Sequence, residues 1–204
     1  MSENVLKTKV YIATNNMNKL TEIEKILPSG AFEVHPLSDL GKIVSWDETG
    51  STFQENAEIK ARALKAFTSD AVLADDSGLV VPALGGSPGV FSARYAGPEA
   101  TDEMNNQKLI AELKGITNRD AYFQCTLCYI SGDDKISFFS GQCNGKILET
   151  PKGSNGFGYD PLFYSEELEL SFGETPLSLK NSVSHRKKAL QAFAESLKYE
   201  CPSE

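Results

Sequence analysis

Short apolar runs alternate with segments of helical period over the first third of the chain, and this alternation restricts the fold more than any other feature. Lys9-Val-Tyr-Ile-Ala-Thr14 reads as an opening strand. From about Asn18 to Leu27 the apolar residues Leu20, Ile23, Ile26 and Leu27 share one helical face, and Phe32 to Leu37 reads as a second strand. The run Thr52-Phe-Gln-Glu55 has the form of a capping box and opens a helix whose apolar face continues through Ile59, Ala63, Leu64 and Phe67. Ala71-Val-Leu-Ala74 is a short apolar strand that breaks off at Asp75-Asp76-Ser77-Gly78. A third helix fits Asp102 to Leu113. Two longer strand patterns, Ala121–Ile130 and Lys135–Gly145, then flank a turn at Ser131-Gly-Asp-Asp134, and a last helix runs from Ser184 to Leu197. Strand–helix alternation followed by a hairpin predicts an α/β protein. The expected form is an elongated mixed β-sheet with flanking helices and a central cleft between two lobes. At 204 residues it is expected to be one domain spanning positions 1–204.

Charge narrows the partners. The formal net charge is −8, whereas affinity for long nucleic acid comes mainly from neutralising phosphates with Lys and Arg. A long nucleic acid is therefore not an expected partner. A small polyphosphate is allowed, because a few local cations or a bound metal override the global sign. No apolar run approaches the roughly 20 residues that span a bilayer, so no membrane partner is expected. The stretch Met1 to Lys9 lacks the apolar centre of a signal peptide, and the expected location is the cytoplasm. Cys125 and Cys128 have a Cys-x-x-Cys spacing, which can mean a zinc or redox site. On a strand, however, that spacing turns the two thiols to opposite faces, and no further Cys-x-x-Cys or nearby His completes a tetrahedral set. These two, with Cys143 and Cys201, read as buried structural thiols.

Four clusters have chemistry to offer. Thr14-Asn-Asn-Met-Asn-Lys19 joins a strand to a helix, where backbone N–H groups receive anions, and Lys19 in the first helical turn opposes the helix dipole unless an anion is present. The plainer reading is a solvated polar turn. Asp47, Glu48, Asp75 and Asp76 supply carboxylates. Adjacent acids at the end of an apolar strand repel each other, and Mg²⁺ suits such a place, being held by one or two carboxylates with phosphate oxygens and waters. Alternatively, the two acids cap the Ser77-Gly78 turn. Gly153-Ser-Asn-Gly-Phe-Gly-Tyr-Asp-Pro161 combines glycines, which allow close backbone approach, with Phe157 and Tyr159, which can stack on a base. Asp160 could accept from a base or sugar donor, and a simple Gly-rich turn is the alternative. Ser184 is a good N-cap that leaves His185, Arg186, Lys187 and Lys188 at the positive end of a helix, with Lys180 upstream. An anionic or electron-rich ligand would relieve that crowding, although Lys187 and Lys188 read as a solvated basic face. Together the four clusters match a nucleoside polyphosphate with Mg²⁺.

The order of these motifs resembles the inosine triphosphate pyrophosphatase family, also called XTP/dITP diphosphatases. Thr14-x-Asn16-x-x-Lys19, Glu48-Thr-Gly-Ser-Thr-Phe-Gln-Glu-Asn-Ala57 with Lys60, Ala74-Asp-Asp-Ser-Gly-Leu79, Pro88-Gly-Val-Phe-Ser-Ala-Arg-Tyr95, Gly156-Phe-Gly-Tyr-Asp-Pro161 and Ser184-His-Arg186 match its blocks in sequence. The resemblance implies Mg²⁺-dependent hydrolysis of ITP, dITP and XTP to the monophosphate and pyrophosphate by a cytoplasmic enzyme that is usually a homodimer. It implies that Thr14, Asn15, Asn16 and Lys19 hold the triphosphate with Lys60, and that Glu48 and Asp76, with Asp75, position the metal. Asp76 is then the base for the attacking water, with Lys19 counted beside it in the catalytic set, and Ser77 contacts the phosphates. Phe157, Gly158 and Tyr159 form the base-stacking loop, while Asp160, Lys180, His185 and Arg186 surround the base edge and the sugar. Two other readings stay open: a related pyrophosphatase of different base preference, and a catalytically silent nucleotide-binding protein.

Overall fold

The structure is a computed structural model that describes residues 7–28 and 30–200. Met1 to Leu6 and Cys201 lie outside the described residues. Among the described residues seven strands and five α-helices follow one another in chain order. They are β1 (Thr8–Ile12), α1 (Met17–Ile26), β2 (Phe32–Pro36), α2 (Phe53–Lys65), β3 (Ala71–Val80), α3 (Asp102–Glu112), β4 (Asp120–Ile130), β5 (Ile136–Ile147), β6 (Phe163–Ser165), β7 (Leu170–Ser171), α4 (Leu177–Val183) and α5 (His185–Glu200). The strands form one seven-stranded mixed sheet in the order β2-β1-β3-β4-β5-β6-β7. β1 is parallel to β2 and β3, while β5–β6 and β6–β7 are antiparallel. Among the described residues no helix is long and apolar enough to cross a membrane.

Contacts divide the chain into two compact units. The first comprises residues 1–76, 126–140 and 189–204, and the second residues 77–125 and 141–188. In the first unit β1 connects outward to β2, and β2 returns to β3 on the other side of β1. Right-handed crossovers in opposite directions put α1 and α2 on opposite faces of the sheet. The buried side of α2, with Ala57, Ala61 and Leu64, packs on Tyr11, Ala13, Val72 and Ala74. Phe193 of α5 meets the rings of Phe32, Tyr129 and Phe139 at 5.3, 4.8 and 5.3 Å between centroids. The core of the second unit is built around Phe123, Phe163 and Phe172, with Leu79, Leu109, Leu113 and Leu162. Each fully buried side chain of this size stabilises by roughly 1.5–3 kcal/mol.

Most of the expected elements are present within two or three residues of their predicted ends. Three differ for physical reasons. β3 does not break off at Ala74 but runs on to Val80, so Asp75 and Asp76 stand inside a strand and cap no turn. Their charges read as a strand end, but each is compensated inside the protein by a lysine that sequence distance hides. α2 stops at Lys65, which leaves Phe67 exposed instead of on the apolar face. α4 went unpredicted: it is a seven-residue helix with no side-chain cap, and Leu177 and Leu179 on it are exposed. The hairpin turn is as expected, with Ser131 N–H donating to Lys135 O at 3.0 Å and Asp134 in the left-handed region. Cys125, Cys128 and Cys143 are buried, as the strand pattern requires.

Candidate active site

The pairing of β1 with β3 ends at Ile12 and Leu73, with one further bond from Ala13 N–H to Leu73 O at 2.9 Å. Asp75 and Asp76 therefore extend just past the carboxyl end of β1. Because α1 and α2 leave on opposite faces, this is the point where the strand order reverses, the usual ligand position of an open α/β sheet. Strand alternation turns the two carboxylates to opposite faces. Lys19, from the first turn of α1, meets Asp75 at 3.2 Å. Lys60, from α2, donates to Asp76 Oδ1 at 2.7 Å and to Glu48 Oε1 at 3.0 Å.

The loop before α1 caps itself. Asn16 Oδ1 accepts from the N–H groups of Asn18 and Lys19 at 2.9 and 3.2 Å, and Thr14 Oγ1 accepts from Asn16 N–H at 3.1 Å. Two of the N–H groups expected to receive an anion are thus already engaged, and Asn15 is exposed beside them. What this loop fixes is Lys19, whose side chain is only 16% exposed.

α2 carries Lys60 inward. Phe53, Ala57, Ala61 and Leu64 define its buried face, and Asn56 and Lys60, four residues apart, lie on that face too. Thr52 and Glu55 close the capping box that fixes where the helix starts. Asn56 was not anticipated as a site residue. It is fully buried, donates to Asp76 Oδ2 at 3.3 Å and accepts from Gly50 N–H at 2.8 Å, tying the Glu48–Gly50 loop to β3. A Cβ on Gly50 would lie 2.7 Å from Asn56 Oδ1, so only glycine allows that approach. The signal was an amide and an ammonium at helical spacing on an otherwise apolar helix face.

Burial works against the charge of Lys60, but the pull of Asp76, Asp75 and Glu48 outweighs it and raises the lysine above its ordinary pKa. Burial likewise pushes the Asp76 carboxyl up, against the opposing pull of Lys60 and Lys19. A buried carboxylate held beside a lysine, with its pKa displaced upward, is the environment in which a general base is tuned.

Glu48 and Asp76 share one ammonium, and both offer hard oxygen donors. Two carboxylates of this kind fit Mg²⁺, which keeps waters and takes phosphate oxygens for its remaining positions. Among the described residues no three His, Cys, Asp or Glu side chains group closely enough to hold a metal ion. Asp75, turned to the other face of β3, pairs instead with Lys19.

The second unit gathers the remaining predicted residues in two places. In the loop 153–161, Asp160 Oδ2 accepts from Phe157 N–H at 2.8 Å and from Lys180 Nζ at 2.7 Å, both Asp160 and Lys180 being buried. The Lys180 ammonium lies 4.7 Å from the centroid of the Phe157 ring. Gly156 has a φ of +77°, and a Cβ there would stand 1.9 Å from Asp160 Oδ2, so glycine is required. Tyr159 is buried and donates to Ser92 O at 2.9 Å. At the start of α5, His185 stacks on Phe123, with centroids 4.9 Å apart and planes 14° apart. Arg186 is 1% exposed and donates from Nη2 to Ser77 Oγ at 3.0 Å. Ser184 Oγ accepts from Lys187 N–H at 3.2 Å, the expected N-cap. Lys188 pairs with Glu167 at the surface, in keeping with a solvated face.

The motif order has a counterpart in known proteins. The model of the Ham1 family matches residues 10–196. A dITP/XTP pyrophosphatase of Listeria monocytogenes serovar 1/2a is 45% identical over 192 residues, covering 93% of this chain and 95% of the relative. A dITP/XTP pyrophosphatase of Geobacter sulfurreducens is 46% identical over 192 residues, covering 93% and 96%. The solved structure of the Staphylococcus aureus Ham1 protein superposes with a TM-score of 0.86 at 38% identity, over 95% of this chain and 100% of that one. Agreement of this extent, in sequence and in three-dimensional structure, makes the chain a member of the Ham1 family.

Proposed function

We propose that this chain hydrolyses non-standard purine nucleoside triphosphates (ITP, dITP and XTP) to the monophosphate and pyrophosphate, with Mg²⁺ as cofactor. The observation that carries the reading is Lys60 held between Asp76 and Glu48, beside the Lys19–Asp75 pair at the carboxyl end of β1. Two ammonium groups and three carboxylates gathered at a strand-order reversal suit a polyphosphate better than a neutral ligand. The relatives named dITP/XTP pyrophosphatase support the same substrate class.

In the reaction, Lys19 and Lys60 bind the phosphate oxygens and balance the negative charge that grows as the bond between the α and β phosphates breaks. Asp76 accepts the proton of the attacking water, whose oxygen forms the new bond to phosphorus while pyrophosphate departs. Asn56 keeps Asp76 oriented for that transfer. Mg²⁺ held by Glu48 and Asp76 would neutralise phosphoryl charge and orient the triphosphate. Phe157 stacks on the base. Donors in the region of His185 and Arg186 read the 6-oxo group, because a 6-amino group would leave buried donors unpaired. A homodimer in the cytoplasm completes the reading, which sedimentation and fractionation would test.

The first experiment is pyrophosphate release from ITP and from ATP, each with Mg²⁺ and with EDTA. Fast, Mg²⁺-dependent release from ITP with little from ATP is expected. Orthophosphate in place of pyrophosphate, or no product from ITP, would overturn the reading.

A further inference from the structure

The Pro88–Tyr95 motif and α3 have no part in the function above, yet together they hold the aromatic loop. Ser92 accepts the Tyr159 hydroxyl at its carbonyl, and its own Oγ accepts from Leu79 N–H at 2.9 Å and donates to Gly89 O at 2.6 Å. Asn105, buried on α3, accepts from Ala96 N–H at 2.8 Å and donates to Ala93 O at 3.2 Å, so α3 is docked against that motif. From the same helix Asp102 and Asn106, four residues apart on one face, reach Gly158. The Gly158 N–H donates to Asp102 Oδ2 at 2.6 Å, and Asn106 Nδ2 donates to Gly158 O at 2.9 Å. The first bond fixes the peptide group that follows Phe157, and the second fixes the one that precedes Tyr159. An acid in the first turn of a helix ordinarily serves its own dipole. Here the carboxylate accepts from a backbone N–H 56 residues away in sequence.

We propose that Asp102 and Asn106 are positioning residues that set the Phe157 ring for the purine base. The inference rests on the proposed function, in which Phe157 stacks on that base. Asp102 and Asn106 act through the loop, while the phosphate-binding and proton-accepting groups lie elsewhere in the sequence. Releasing the loop weakens substrate binding and leaves the chemical step alone, which raises KM at constant kcat.

The test compares the wild type with the double variant Asp102→Ala/Asn106→Ala and with Asp102→Asn, whose amide oxygen still accepts from Gly158. Steady-state pyrophosphate release from ITP is measured together with hydrogen exchange across residues 154–160. In the double variant the loop exchanges faster, KM for ITP rises roughly tenfold and kcat stays within about twofold. Asp102→Asn stays close to the wild type. A loop that exchanges faster with KM unchanged would overturn the inference and leave the proposed function standing, as would a fall in kcat alone. No pyrophosphate from the wild type would overturn the proposed function, and this inference with it. Should the double variant not fold, Asn106→Ala alone removes one of the two bonds and is read by the same KM and kcat comparison.

Discussion

Lys60 contributes a single ammonium to two carboxylates, and its position explains why a lysine sits on the inner face of a helix. Removing one partner of a buried ion pair leaves the other charge unpaired, which costs roughly 3–5 kcal/mol. Lys60→Met should therefore lower the melting temperature by about 10 °C for a chain of this size. If Glu48 and Asp76 hold Mg²⁺, millimolar MgCl₂ should return part of that loss in the variant, read by differential scanning fluorimetry. Cys128 gives the pH dependence at this scale. Burial, with Glu58 nearby, pushes its thiol from an ordinary 9.0 up to about 12. The unfolded chain ionises this thiol above about pH 9 while the folded protein does not. The associated stability is therefore complete below that pH and is lost as the pH rises toward 12. At about pH 8.5 the folded protein should take no iodoacetamide label at Cys128, whereas the urea-denatured chain should take it readily, as peptide mass spectrometry would record.

Among the elements, the loop 153–161 leaves no room for a side chain at Gly156. Gly156→Ala meets both a left-handed backbone and the Asp160 carboxylate, which is fixed by Lys180 and by the Phe157 N–H. It should cost about 2 kcal/mol or more, seen as a lower urea midpoint at an unchanged slope. The elements also show what a sequence discloses. α2 was legible because its capping box and apolar spacing are local. β3 was legible only as far as Ala74, because strand length past that point depends on Lys19 and Lys60, which lie 56 and 16 residues from their partners in Asp75 and Asp76. Asp102 and Asn106 gave no signal, since an exposed acid in a first helical turn looks like ordinary capping chemistry and an amide one turn later looks like a surface residue. The carboxylates, lysines and aromatic loop residues were visible as types. Which lysine meets which carboxylate is tertiary information.

For the whole molecule, the net charge of −8 sets the long-range behaviour. Filter binding at low salt should retain neither single-stranded nor double-stranded DNA; retention that weakens steeply with added salt would reveal a basic face that the residue totals hide. The two compact units are interleaved along the chain, the first drawing on three separate stretches and the second on two. Phe193, on the third stretch of the first unit, packs against Phe32 near the beginning of the same unit. During synthesis β2 therefore waits, that part of its core unsealed, until α5 has left the ribosome. A premature stop before α5 would injure β2 first, although that strand is made far earlier.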